Sequence, residues 1–170
     1  MTADEARAWL RERGMVTLRE LCDAVAGELV RGSWWSHRAG KEIFRVASAL
    51  AEDPDVLSTK LIEGKVTFVH RRKWPAVLAQ ATDRTRRRRA MAELSPAGRK
   101  LLALVERRGE LRMDDPAAAP LRKERVALEK ALLVHSTQVH SETGNHVALL
   151  VSWKHWAAQA LDHQTKGKSR

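Results

Sequence analysis

Apolar residues recur at helical spacing through most of this chain, and two pairs of runs depart from it by reading as strands. From Thr2 to Arg13, Ala6, Trp9 and Leu10 share one face, and Gly14 stands where a helix C-cap belongs. Met15-Val16 is a short extended piece. Thr17-Leu18-Arg19-Glu20 has the form of a capping box, in which the Thr side chain accepts from the Glu amide and the Glu reaches back. Leu18, Leu21, Val25 and Leu29 give the helix it opens an apolar stripe. Gly32-Ser33-Trp34-Trp35-Ser36-His37 interrupts the pattern. Ile43, Val46, Ala47 and Leu50 then predict a helix from about Arg38 to Glu52, closed by Asp53-Pro54-Asp55. VLSTKLI and KVTFVHR, turned at Glu63-Gly64, predict a hairpin, and Trp74-Pro75 opens the helix of AVLAQAT.

The second half repeats that order. Ser95 is an N-cap, Pro96 sits at the first helical position, and the helix burying Leu101, Leu102, Leu104 and Val105 runs to Arg108 and stops at Gly109. Glu110 to Met113 is extended, and Asp114 and Asp115 cap a short turn at Pro116 to Ala119. Leu121, Leu128 and Leu132 predict one helix, with Arg122, Lys123, Arg125, Glu129 and Lys130 on its other faces. LLVHSTQVH and HVALLVS flank Glu142-Thr143-Gly144-Asn145 as a second hairpin, and Trp153 and Trp156, at i and i+3, open a closing helix.

ERGMVT beside ERRGELR, and KWPAVLAQA beside WKHWAAQA, align the halves as an internal repeat. The expected fold class is α+β, mainly α, as two tandem winged-helix modules, each a helix-turn-helix with a β-hairpin. Residues 1–83 form the first, with a GSWW insertion, and 94–161 the second. Residues 84–93 (RTRRRRAMAE) are a basic linker, part of which can extend the helix before it, and 162–170 are a basic, disordered tail.

Charge sharpens this picture. The net +10 calls for an anionic partner, yet residues 1–83 carry 13 Lys/Arg against 12 Asp/Glu, whereas 84–93 carry 5 against 1 and 94–170 carry 13 against 8. Positive charge is thus gathered in the connector and the tail. No apolar run is long enough to span a bilayer, and the start MTADEARAW is too charged for a secretory signal, so a cytoplasmic, nucleoid-associated protein is expected. The single cysteine, Cys22, excludes an internal disulfide and reads as a buried structural thiol.

Candidate chemistry is sparse. His135 and His140 alternate to opposite faces of one strand, and no cysteine or acid completes a site with His146, so neither metal nor cofactor is expected. Ser33, Ser36 and His37 lie too close together to form a triad without partners elsewhere, and no phosphate-cradling glycine loop is present. An enzyme is not expected. Candidate DNA contacts are Arg122 and Arg125 for base edges and Lys123 and Lys130 for phosphates. The first hairpin adds Lys65 and the run Arg71, Arg72, Lys73, which reads equally as a solvated strand end. The second adds Gln138, His140, Asn145 and His146, and the connector adds Arg86, Arg87, Arg88 and Arg89, whose mutual repulsion an anionic polymer would relieve. Trp34 and Trp35 read either as core or interface residues beside Phe44 and Val46, or as a base-stacking platform.

GSWWSHRAGKEIF, VLSTKLIEGKVTFVHRRKWPAVLA and ALEKALLVHSTQVHSETGNHVALLVSW resemble a family of small bacterial winged-helix proteins related to the AlkZ/YcaQ DNA glycosylases. The resemblance covers most of residues 30–156 and implies a tandem winged-helix fold. The glycosylases' glutamine-x-glutamine motif has no counterpart among Gln80, Gln138, Gln159 and Gln164, so their chemistry is not carried over. The expectation is a non-catalytic protein binding double-stranded DNA in transcriptional regulation or repair. A protein-interaction adaptor and a divergent glycosylase-like enzyme are the alternatives.

Overall fold

The computed structural model describes residues 1–62, 64–140 and 146–166, and for 140, 146 and 161–166 the backbone alone. The expected turn at 142–145, with the candidate contact Asn145, and the end of the tail lie outside the described residues. The chain divides into two compact units, Met1–Pro75 and Ala76–Arg170. Among the described residues no helix is long and apolar enough to cross a membrane.

The first unit runs α1 (Ala3–Arg13), β1 (Met15–Thr17), α2 (Leu18–Ala26), a 3-10 turn at Trp34–Ser36, α3 (Gly40–Ala51), β2 (Val56–Ile62), β3 (Lys65–His70) and a 3-10 turn at Arg71–Lys73, and it ends in the first two residues of α4 (Trp74–Thr82), whose remainder belongs to the second unit. Thr2 and Thr17 each close a capping box, with Glu5 and Glu20. The Thr17 backbone N–H that Glu20 accepts holds the Glu20 carboxyl below its ordinary pKa. Gly14, at φ +83°, ends α1 and turns β1 onto β3, giving the antiparallel order β1-β3-β2. Leu10, Leu21, Ile43, Val46, Leu50 and Phe68 fill the core. Cys22 is buried there, and burial raises its thiol pKa. Gly27, also left-handed, stops α2 early, so Leu29 lies beyond the helix and is 70% exposed instead of extending its apolar stripe.

The second unit holds α5 (Arg84–Glu93), α6 (Pro96–Arg108), β4 (Glu110–Arg112), a 3-10 helix at Ala119–Glu124, α7 (Arg125–Lys130), β5 (His135–His140), β6 (His146–Val151) and α8 (Trp153–Lys166). Its sheet order, β4-β6-β5, repeats that of the first unit, with Gly109 at φ +82° in the place of Gly14. Three expectations are corrected here. Residues 84–93, expected as a linker, are helix α5, started by the Asp83 side chain accepting from the Arg86 amide. The single helix expected over Leu121–Leu132 is a 3-10 segment followed by six residues of α7, because Pro120 opens the tighter turn and Leu132, at φ +49°, closes the helix. Helix α8 continues to Lys166, into the stretch expected to be disordered.

Leu132 is the one described non-glycine residue with positive φ. The Leu133 amide donates back to the Leu128 carbonyl, the six-to-one bond of a Schellman ending, which satisfies a carbonyl that the helix leaves open. The Leu132 carbonyl in turn accepts the indole N–H of Trp153 at 3.2 Å. Trp153 and Trp156 meet edge to face at 5.8 Å, with His135 tilted against both. His135 is buried, and its Nδ1 has no hydrogen-bond partner among the described residues.

Burial lowers the His135 pKa from an ordinary 6.5 to about 4. Between those values the unfolded chain takes up a proton that the folded chain refuses. Stability is therefore full above 6.5 and is lost as pH falls toward 4, by at most ~3 kcal/mol. Chemical denaturation across this range should show the parent losing stability and His135→Leu losing less; equal pH dependence would mean that the imidazole is not held neutral by burial.

Candidate nucleic-acid interface

The outward face of α3 carries two cations, Lys41 and Arg45. Lys41, Phe44, Arg45 and Ser48 follow i, i+3, i+4, i+7 spacing, opposite the buried Ile43, Val46 and Leu50. Lys41 makes no ion pair or side-chain hydrogen bond among the described residues, whereas Arg45 holds the Glu42 carboxylate at 2.6 Å. Phe44, expected to offer a core for the paired tryptophans, is 51% exposed. This face is legible in the sequence as a repeat of polar positions opposite the apolar stripe, yet Lys41 and Arg45 are absent from the expected contacts.

The Trp34–Ser36 turn is seated on the start of α3. A Cβ on Gly40 would lie 2.9 Å from the Trp34 carbonyl oxygen and 3.0 Å from that of Trp35, so only glycine permits this approach. Trp34 is half-buried against the core, and Trp35 stacks on it with ring centroids 4.0 Å apart. The pair thus divides the roles that the sequence left open: one ring joins the core and the other faces out.

The first hairpin's basic end is largely committed within its own unit. Arg71 pairs with Asp55 at 2.9 Å, and the Arg72 guanidinium donates to the Glu12 carbonyl at the end of α1. Lys73 is exposed and unpaired among the described residues, its stem lying against Gly14. Lys65 is exposed at the start of β3.

In the second unit the expected reading surface is broken up. Arg122 donates to the Met113 carbonyl at 3.0 Å, and Arg125 pairs with Glu129 at 3.4 Å. Glu129, expected on the polar side, is only 3% exposed, so the pair draws Arg125 toward the protein. Lys123 and Lys130 remain exposed and unpaired among the described residues. Gln138 is exposed on β5 opposite Ala148. His140 and His146 face each other across the ladder, which settles their register alone. Among the described residues no three His, Cys, Asp or Glu side chains are gathered as a metal would require.

The arginine run separates into two sets. Arg86 donates to four backbone carbonyls, Gln80 at 2.6 Å and Ala81 at 3.3 Å at the end of α4, and Ala131 at 2.6 Å and Leu132 at 3.0 Å past the end of α7. Carbonyls at a helix C-terminus carry partial negative charge and lack intrahelical partners, so one planar guanidinium serves two helix ends. Burial, and then the neighbouring Arg87, lowers the Arg86 pKa. Arg87 donates to the Ala81 and Leu133 carbonyls at 3.3 Å each and pairs with Glu106. Arg84, Arg88 and Arg89 are exposed and, among the described residues, unpaired.

No family model, curated protein or solved structure matches the chain.

Arg86→Ala should destabilise the protein by about 2–3 kcal/mol, since it strands carbonyls at two helix ends. Arg86→Lys should recover only part of this, because a single ammonium lacks the fork. Arg88→Ala and Arg89→Ala should stay within about 0.5 kcal/mol of the parent. Thermal unfolding of the four variants measures this. A neutral Arg86→Ala would mean that the guanidinium is free to act elsewhere.

Proposed function

We propose that the chain is a non-catalytic protein of two winged-helix units that binds double-stranded DNA, in transcriptional regulation or DNA repair. The observation that carries this reading is the doubled order of helix, strand, two helical segments and hairpin, with the first strand joined to the last in each sheet. In a winged helix, the helix before the hairpin enters the major groove and the hairpin flanks the backbone. In the first unit that helix is α3, with Lys41, Phe44 and Arg45 outward. We assign groove contact to α3 in preference to the six-residue α7, whose Arg125 is held by Glu129. Lys65, Lys73, Lys123, Lys130, Gln138 and the exposed arginines of α5 then serve as backbone contacts. Such a protein works in the cytoplasm at the nucleoid, and kinship with the proteins related to AlkZ/YcaQ is proposed on the same segments of sequence.

The near balance of charge in residues 1–83 favours a second reading, an adaptor that binds another protein. Binding to a blunt duplex across a salt series separates the two. Log affinity should fall linearly with log salt. Replacing Arg84, Arg88 and Arg89 by alanine should flatten the slope by about 0.9 for each phosphate no longer neutralised, alike for all sequences. An absence of duplex binding at low salt contradicts the DNA reading, and an unchanged slope removes these arginines from it.

A further inference from the structure

The Trp34, Trp35 and Phe44 cluster is an aromatic surface built outward from a fixed base. Trp34 is anchored against the core, Trp35 stacks on it at 4.0 Å with 25° between planes, and Phe44 lies 5.5 Å from Trp35 at 37°. Trp35 is 65% exposed. Phe44 stands on α3, and the turn that carries Trp34 and Trp35 is held at several points: the His37 amide donates to the Trp34 carbonyl, the Gly40 amide to the His37 carbonyl, and the Ser36 hydroxyl to the Ser33 carbonyl at 3.0 Å. The backbone beneath the rings is therefore fixed, and stacking on Trp34 restrains the Trp35 ring, which lowers the ordering cost that a stacking ligand must bear. The Trp35 and Phe44 rings both keep apolar area in water that a flat apolar group can cover.

Charge selects the occupant. Arg31 and Lys41 flank the cluster in sequence, both exposed and, among the described residues, without an ion pair. The acids nearby in sequence are neutralised: Glu28 by Arg38 at 2.9 Å, and Glu42 by Arg45. An aromatic face whose flanking residues in sequence carry net positive charge, with Lys41 three residues before Phe44 on the same face of α3, fits a base with a phosphate on either side. A base inside a duplex has both faces covered by its neighbours, so an unpaired one is required.

We propose that Trp35 and Phe44, braced by Trp34, form a stacking site for unpaired DNA bases, with Arg31 and Lys41 on the adjoining phosphates. This rests on the DNA-binding reading above and adds that the first unit favours a duplex carrying a single-stranded stretch, such as a fork or an overhang.

The test compares, for the full chain, a blunt duplex and the same duplex extended by a single-stranded overhang. The parent should bind the overhang substrate about tenfold more tightly. Trp35→Ala should remove that preference and leave blunt-duplex affinity in place, while Trp35→Phe retains most of it. Trp35 is mostly solvent-exposed, so the variants should melt with the parent. Equal affinity of the parent for both substrates, or an undiminished preference in Trp35→Ala, overturns the stacking site while leaving duplex binding standing. Failure to bind either substrate overturns both readings. A monomer–dimer equilibrium that Trp35→Ala abolishes, without any overhang preference, would overturn the stacking site and assign the surface to a second copy of the chain.

Discussion

Each unit depends on a glycine held in a left-handed backbone conformation. Gly14 and Gly109, at φ +83° and +82°, end the first helix of their units and send the chain straight into a three-residue strand. The Gly14 carbonyl accepts the His70 amide at 2.9 Å, and the Gly109 carbonyl accepts the Ser152 amide at 2.7 Å. The first strand is thereby tied to the residue that closes the last one, across the whole unit. A side chain is excluded twice over: the angle strains any L-residue, and a Cβ on Gly109 would lie 2.7 Å from His155 Nδ1. With the sheet closed in this way, the hairpin and the helical segments before it fall in the same order in both units, and the tryptophan after the hairpin seals the end. Trp74 donates its indole N–H to the Val69 carbonyl at 3.1 Å, and Trp153 does so to that of Leu132.

The need to satisfy backbone groups also redistributes the positive charge. A buried or half-buried carbonyl needs a donor, and arginine can supply several from one plane. Arg86, Arg87, Arg72 and Arg122 all donate to main-chain carbonyls, so part of the basic character of this chain, including two of the five arginines of α5, is engaged by its own backbone. Exposed and unpaired among the described residues are, for example, Arg31, Lys41 on α3, Lys73 after the first hairpin, Arg84, Arg88 and Arg89 on α5, and Lys123 and Lys130 about α7. Net charge alone therefore overstates the positive charge left unengaged at the surface.

Local signals in the sequence mark most of the fold. Thr17 with Glu20, Ser95 with Pro96, and the two glycines before the short strands each act within a few residues, and each forms the expected cap or turn. The two hairpins follow from alternation and turn residues, and the repeat follows from their order. Long-range satisfaction is not legible in the same way. Nothing in RTRRRR separates Arg86, which reaches carbonyls 45 and 46 residues away, from Arg88, which faces solvent. Leucine periodicity through Leu121, Leu128 and Leu132 imitates a single helix, because a 3-10 segment and a residue at positive φ can bury the same leucines. Glu129 reads as polar surface because the ion pair that accompanies its burial cannot be seen in a one-dimensional pattern. Hydrophobicity alone draws Trp35 and Phe44 toward the core, whereas only Trp34 is anchored there.

The central claim is that α3 of the first unit, together with the free arginines of α5, meets DNA. Backbone amide shift mapping tests it residue by residue, with labelled protein titrated by a short blunt duplex at low salt. Progressive shifts are expected at Lys41, Phe44 and Arg45 and at Arg84, Arg88 and Arg89, with the buried Leu10 and Leu101 unmoved. Saturable shifts that leave α3 and α5 untouched, or a spectrum unchanged by duplex, would contradict it.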